Sequence, residues 1–149
     1  MKSNENLVAF QAKFRQKELH VVDAGAWILS VRPGQLTLGA MVLSSRSGAA
    51  SMADLTPEEM QGMGAGFVLA ERLASQVFGA DRINYLCLMM QDPVVHFHIF
   101  PRYSGPLLRY GRSWEDPDWP GPPQVKAVVT EDAVLLEIRD ALRSALEEE

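Results

Sequence analysis

Two histidines separated by a single residue are the side chains in this sequence best suited to chemistry. His96 and His98 lie in segment 94–100, where they alternate with apolar residues. Alternate side chains of an extended strand share a face, so the two imidazoles project to one side about 6.5 to 7 Å apart. Both rings can then contact one phosphate group or one metal ion. We expect them to emerge on the solvent side of the strand, with Phe97 and Ile99 on the core side.

The histidine pair is also open to a purely structural and to a metal-binding interpretation. Two histidines can occupy a half-exposed face of a sheet without any further role. His-x-His on a strand also presents two metal ligands, but the sequence offers them few partners. His20 is the only other histidine, Cys87 lies in an apolar segment, and no aspartate or glutamate stands at ligand spacing. We therefore expect no metal and no cofactor.

Short apolar segments predict the strands that position these histidines. They cover residues 19–22, 27–31, 38–43, 83–90 and 94–100. Gly25 supplies a turn between the first two segments, and residues 32–35 interrupt the pattern before the third. This order predicts a meander of antiparallel strands rather than a parallel βαβ unit.

The clearest helix lies between the third and fourth predicted strands. Thr56 and Glu59 form a capping box around a proline at the first helical position, and an apolar stripe continues from there to residue 77. Gly79 then ends the helix. Three glycines within residues 62–66 each destabilise it by about 1 kcal/mol relative to alanine. Close packing on the sheet would offset that cost.

Two further helices and a long loop complete the expected architecture. Residues 4–15 and 131–146 have apolar stripes at helical spacing, and we expect the first to dock onto a neighbouring element. Residues 103–125 read as an ordered surface loop. Its Trp114 and Trp119 staple the tail to its own domain or a partner subunit, or alternatively form a lid or stack on a base. The fold class is therefore α+β, with an antiparallel sheet of about five strands and one long helix packed on it.

Length and composition favour one globular domain over residues 1–149. The chain has 14 basic and 19 acidic residues and a net charge of -5, which argues against broad binding to nucleic acid or an acidic membrane. Cys87 is the only cysteine, so no internal disulfide can form. No signal peptide and no apolar stretch of membrane-spanning length is visible, so we expect a cytoplasmic protein without a membrane segment.

The histidine segment resembles the signature of the histidine triad superfamily, His-φ-His-φ-His-φ-φ with φ apolar, often followed by Pro-Arg. On that pattern His96 aligns with the middle histidine, His98 with the third, and Val94 with the first. Residues 33–43 and 53–59 are similar to the strand, loop and helix that precede the motif in that family. The resemblance covers about residues 18–105 and leaves a C-terminal extension, residues 106–149.

The resemblance implies a nucleotide hydrolase or nucleotidyl transferase that cleaves a phosphoanhydride or phosphoramidate bond, as in dinucleoside polyphosphates. His96 would attack the α-phosphorus and form a covalent nucleotidyl-histidine, while His98 donates a hydrogen bond to a phosphate oxygen. Val94 removes a side chain from the hydrogen-bond network behind the nucleophile. The alternative is therefore a nucleotide-binding or regulatory module with weak or no catalysis. The resemblance also implies a homodimer, formed through the long helix and the fourth strand.

Five further residues correspond to substrate contacts by the same resemblance. Gln91 and Asn84 lie where relatives hold phosphate oxygens with polar side chains, although Gln91 can equally be an ordinary turn residue. Arg102 follows the histidine strand and either neutralises phosphate or solvates the strand end. Arg46 is the one charge in the loop after the third strand. Ser30 falls near the position whose acidic or amide side chain binds the ribose hydroxyls.

Overall fold

A five-stranded antiparallel sheet with the spatial order β1-β2-β3-β5-β4 organises the chain. The computed structural model describes residues 2–148, and the side chains of residues 4–148. The strands are β1 (His20–Ala24), β2 (Trp27–Val31), β3 (Met41–Ser45), β4 (Arg82–Leu86) and β5 (His96–Arg102). The helices are α1 (Lys2–Lys13), α2 (Pro57–Phe78) and α3 (Asp132–Ala145), with a short 3-10 helix at Met52–Asp54. The α+β architecture predicted from the sequence is confirmed.

Helix α2 packs on one face of the sheet and forms the main core with it. Thr56 and Glu59 make the predicted capping box, and Gly79 ends the helix in the left-handed conformation at φ 67°. A Cβ atom at Gly66 would lie 2.8 Å from the side chain of Leu43 on β3. The glycine therefore permits the close helix-to-sheet contact that the sequence led us to expect. Helix α3 packs on the same side, against α2 and β1.

Helix α1 covers the opposite face of the sheet, the one that carries the histidines. Phe10 and Phe14 are buried there in a small cluster with Val42 and Val94. The docking expected of this helix is confirmed, but the sheet has helices on both sides. The expectation that both imidazoles emerge on the solvent side is therefore wrong for His96, which is 2% exposed beneath α1.

Two strand ends differ from the prediction by three residues or more, because side chains and backbone conformation interrupt the pairing. The third strand begins at Met41 rather than at residue 38, because the side-chain oxygen of Gln35 accepts hydrogen bonds from the backbone of Gly39 and Ala40 and holds a loop there. The fourth strand ends at Leu86, and the chain turns away from the sheet before Met89, whose φ is 52°.

The predicted loop after β5 contains a hairpin that the sequence analysis missed. Strands β6 (Leu107–Arg109) and β7 (Arg112–Trp114) pair antiparallel around Tyr110 and Gly111, both with positive φ. The Tyr-Gly dipeptide after Leu107 and Leu108 was the available signal. Trp114 is 5% exposed within the main core, and its indole N–H donates to the carbonyl oxygen of Arg109. It therefore staples the tail to its own domain, one of the alternatives the sequence left open.

Candidate functional site

The imidazoles of His96 and His98 converge on one cavity at the histidine face of the sheet. Their ring centroids are 5.0 Å apart, and the rings are nearly perpendicular at 80°. On the neighbouring strand β3, Ser44 lies opposite His96 and Val42 lies opposite His98. The cavity measures about 330 Å³, close to the lower end of the range for small-molecule sites. Its opening has the loop of residues 88–92 on one side and α1 on another.

His96 has one ring nitrogen occupied by the main chain. Its Nδ1 lies 2.6 Å from the carbonyl oxygen of Val94. A carbonyl only accepts, so Nδ1 carries the proton and donates, and the lone pair of the neutral ring is on Nε2. Burial lowers the pKa of His96, so the neutral form predominates at pH 7. This acceptor lies two residues earlier in the same segment and not in a neighbouring strand.

His98 has the opposite hydrogen-bonding state. The Nε–H of Arg32 donates to Nδ1 of His98 at 3.1 Å, which requires an unprotonated Nδ1 and leaves the proton on Nε2. Burial is the largest cause that lowers the pKa of His98 to about 4, followed by the charge of Arg32 and the neighbouring His96. At neutral pH the cavity therefore holds one imidazole with a free lone pair and one with a free N–H donor.

Helix α1 encloses the histidines with aromatic rings and an ion pair. The ring of His96 is 4.9 Å from that of Phe10 and 5.6 Å from that of Phe14, measured between centroids. The ammonium of Lys13 lies 2.8 Å from the carboxylate of Asp92. Because Asp92 belongs to the loop before β5, this pair ties the helix to the edge of the cavity. Sequence analysis recognised the apolar stripe of α1 but not the surface that it covers.

Arg32 is the cavity residue that sequence analysis treated only as part of a turn. It follows β2 directly, lies partly buried over the ring of Phe100, and donates through Nη1 to the carbonyl oxygen of Gly34 at 2.5 Å. Among residues 4–148, no carboxylate comes within 4.0 Å of its guanidinium. Burial lowers the pKa of Arg32 from its usual value. The available signal was that Arg32 directly follows a predicted strand and lies two residues after Ser30, so both side chains point to the same face of the sheet.

Of the five predicted substrate contacts, the structure brings Gln91 to the cavity. Asn84 and Arg102 instead bond to each other, with the Nη1 of Arg102 donating to the amide oxygen of Asn84 at 2.7 Å. The Arg102 guanidinium also forms an ion pair with Asp116 at 2.6 Å and donates to the carbonyl oxygen of Gly121. These bonds hold the C-terminal extension against the sheet, away from the cavity lining.

Arg46 and Ser30 also lie outside the cavity lining. Arg46 is exposed, and its Nη1 donates to the carbonyl oxygen of Gly25 in the β1–β2 turn at 3.0 Å. Ser30 faces the histidine side of the sheet, but β3 separates it from β5. Its buried hydroxyl has no hydrogen-bond partner among the described residues.

The described part of the chain offers neither a metal-ligand cluster nor a membrane-spanning helix. Within residues 2–148, no group of three or more histidine, cysteine, aspartate or glutamate side chains is arranged to hold a metal ion. None of the helices described there combines the length and the apolar character needed to cross a bilayer.

Comparison with known proteins supports the fold at low sequence identity. No family model matches the sequence, and no curated protein matches it. Among solved structures, the chain is similar to a HIT-like protein of Bartonella henselae involved in cell-cycle regulation and solved with an unknown ligand. That pair has 17% identity and a TM-score of 0.67 over 92% of this chain and 94% of the other.

Two other solved structures give the same result. A Zn-bound histidine triad family protein of Mycobacterium smegmatis has 19% identity and a TM-score of 0.62, over 95% of this chain and 96% of that one. A hypothetical histidine triad nucleotide-binding protein of Sulfolobus tokodaii has 13% identity and a TM-score of 0.66, over 87% and 83%. The chain therefore has the histidine triad fold.

Proposed function

We propose that the chain binds a nucleotide by its phosphate in the His96–His98 cavity and acts as a hydrolase or nucleotidyl transferase. The bond cleaved is a phosphoanhydride or a phosphoramidate. The opposite hydrogen-bonding states of the two imidazoles are the observation that carries this proposal, because one ring can attack phosphorus while the other donates to its oxygens. A solved protein with this fold is described as nucleotide-binding, which agrees with the proposal.

In the proposed reaction, the Nε2 lone pair of His96 attacks the α-phosphorus and the bond to the leaving group breaks, with the electron pair departing on that group. Solvent supplies the leaving group's proton. The imidazole becomes cationic as the nitrogen–phosphorus bond forms, and the Val94 carbonyl facing Nδ1–H stabilises that charge. Attack by water or a second acceptor then breaks this bond and returns the lone pair to Nε2.

His98 and Arg32 favour negative charge in the cavity. The Nε2–H of His98 can donate to a non-bridging phosphate oxygen as charge develops in the transition state, an effect that mutagenesis elsewhere places at about 10²- to 10³-fold in kcat. Arg32 adds a cation without a carboxylate partner among the described residues. Lys13 is a second cation, but Asp92 neutralises it.

Val94 does not prevent this arrangement. The hydrogen bond that orients His96 is accepted by the main-chain carbonyl of residue 94, which any residue type supplies.

One observation favours the alternative, a nucleotide-binding or regulatory module with little catalysis. His96 is 2% exposed beneath Phe10 and Phe14, so attack on a bound phosphate requires these rings to leave room for it.

The proposal is tested by incubating the chain with a panel of adenosine and guanosine phosphoramidates and dinucleoside polyphosphates. We expect turnover by the unaltered chain, loss of turnover in His96→Ala, and normal turnover in the control His20→Ala, since His20 lies outside the cavity. Equal turnover with and without His96 would contradict the proposal. Nucleotide binding without product from any substrate would establish the binding-module alternative instead.

A chelator arm of the same assay tests a metal-dependent reaction. The covalent mechanism relies on an imidazole lone pair and demands no divalent metal, so we expect turnover to survive prolonged treatment with a chelator. Loss of all activity, restored by added zinc, would contradict the covalent mechanism and favour the metal interpretation of the histidine pair.

We also propose that the chain forms a homodimer. Strand β4 lies at the edge of the sheet, and α2 exposes Met60 and Val68 on its outer surface. The family resemblance implies that dimers form through these two surfaces. A light-scattering mass of two protomers is expected, and the mass of one protomer in dilute buffer would contradict this proposal.

A further inference from the structure

Arg32 is held in one orientation by contacts that do not involve a carboxylate. Its backbone N–H donates to the carbonyl oxygen of Ala40, which extends the β2–β3 pairing by one residue and anchors the start of the side chain. The Gly34 carbonyl accepts from Nη1, and the guanidinium carbon lies 5.3 Å from the centre of the Phe100 ring. These contacts leave Nε directed at His98, 3.1 Å from its Nδ1.

The direction of this hydrogen bond determines which nitrogen of His98 carries the proton. A guanidinium has only donors and stays protonated throughout the physiological range, so Nδ1 of His98 must accept. The alternative tautomer would place two N–H groups against each other at 3.1 Å. A protonated His98 would do the same and would add charge repulsion from Arg32. The pair is therefore stable only with His98 neutral and its Nε2–H directed away from Arg32.

The Nη2 group of Arg32 is not used in these contacts. None of the described residues accepts a hydrogen bond from its Nη2 group, and the side chain lines the same cavity as His98. A partly buried cation without an acidic partner is stabilised electrostatically when an anion enters the same cavity. A phosphate oxygen placed beside Nε2 of His98 would share the cavity with this charge, on the other side of the imidazole ring.

We propose that Arg32 is the positioning residue of the histidine pair, which holds His98 in the neutral tautomer with Nε2–H directed at the substrate phosphate and balances that phosphate's charge. This role rests on the proposed function of the cavity. It also assigns the orientation of His98 to a side chain outside the histidine segment.

The hydrogen bond itself can be tested without any substrate, by long-range ¹H–¹⁵N NMR of the imidazole rings of the ligand-free chain. In the unaltered chain we expect a proton on Nε2 of His98, a scalar coupling across the hydrogen bond between Nε of Arg32 and Nδ1 of His98, and no protonation of this ring down to about pH 5. Absence of the coupling, or a proton on Nδ1, would overturn the proposal.

Arg32→Met removes the charge and the donors while keeping a long side chain, and Arg46→Met is the matched control at an exposed arginine outside the cavity. The charged or titratable groups that face His98 are Arg32, His96, Asp92 and Lys13, and the other three are unchanged in both variants. We expect the titration midpoint of His98 to rise in Arg32→Met and to stay in place in Arg46→Met. An unchanged midpoint and an unchanged Nδ1 shift in Arg32→Met would overturn the proposal.

This NMR test separates the inference from the function on which it rests. Failure of the unaltered chain to bind any nucleotide would contradict the proposed function, while the coupling and the titration would still report whether Arg32 orients His98. Should Arg32→Met fail to fold, the coupling in the unaltered chain decides the matter, because it needs no variant.

Discussion

Arg32 and Arg102 lie on the same side of the same sheet, yet their surroundings differ in one decisive respect. Arg102 is 3% exposed and donates to Asp116, Asn84 and a main-chain carbonyl, so its charge is fully compensated. Arg32 has an imidazole and a carbonyl as acceptors and no carboxylate among the described residues. The first arrangement stabilises the scaffold, whereas the second retains an unpaired charge beside a cavity. Pairing, rather than burial alone, distinguishes the scaffold arginine from the site arginine.

The largest expected effect is on stability at the scaffold arginine. Arg102→Met leaves Asp116, whose side chain is 1% exposed, as a buried carboxylate without a counter-charge. Breaking a buried pair in this way costs about 3–5 kcal/mol. We expect a drop of that size in the free energy of unfolding, measured by urea denaturation. A loss below about 1 kcal/mol would show that the two arginines do not differ as described.

Arg32→Met should show a different pattern, with a smaller effect on stability and a separate effect on ligand binding. No buried carboxylate is left unpaired, and the acceptors on His98 and Gly34 lose a donor, so we expect the free energy of unfolding to fall by about 1–2 kcal/mol. Loss of a unit charge about 7 Å from the phosphate costs about 2 kcal/mol at an effective dielectric constant of about 20, which corresponds to about a ten- to hundredfold rise in the nucleotide Kd. Calorimetric titration with a nucleoside monophosphate measures this, and an unaltered Kd would remove Arg32 from the site.

The pH dependence of stability sharpens the same comparison, since the Arg102 cluster contains no histidine. The pKa of His98 is about 4 in the folded chain and about 6.5 when unfolded, so the unfolded state binds more protons between these values. Stability is therefore lost as the pH falls from about 6.5 towards 4. We expect His98→Asn to reduce this loss by about 1–2 kcal/mol in urea denaturation series. An identical pH profile in the variant would contradict the neutral state assigned to His98.

The smallest effect is expected at Lys13, a cation of the cavity that does have an acidic partner. Its pair with Asp92 is partly exposed, and exposed pairs contribute about 0.2–1 kcal/mol. Lys13→Met should therefore raise the nucleotide Kd less than Arg32→Met does, by about fivefold at most. A larger effect at Lys13 than at Arg32 would indicate that the unpaired charge is not the main attraction for the anion.

Sequence analysis predicted the features that depend on local periodicity, and it missed the contacts that depend on how distant elements dock on one another. The capping box at Thr56 and the alternation around His96 are local, because a helix start and a strand face are set by residues within a few positions. The cover over His96 depends on where α1 docks, which its apolar stripe leaves open. Asp116 is 14 residues from its partner Arg102 in a proline-rich loop without period, so their pairing had no sequence signal.

The predicted substrate contacts show the same difference between local and long-range information. Gln91 lies at the cavity because it is only five residues from His96 in the same loop and strand. The predictions at Ser30 and Arg46 rest on family resemblance, and at Ser30 the family carries an acidic or amide side chain instead. In the structure, Arg32 lies beside His98 instead of Ser30 or Arg46. Predicting this contact from the sequence would require the register between β2, β3 and β5.

The nucleophilic role of His96 is tested most directly by intact-mass spectrometry of the chain quenched within milliseconds of mixing with an adenosine phosphoramidate. We expect an adenylate adduct that peptide mapping assigns to His96, present in the control His20→Ala and absent in His96→Ala. Product formation without any such adduct, or an adduct that persists when His96 is replaced, would contradict covalent catalysis by this histidine.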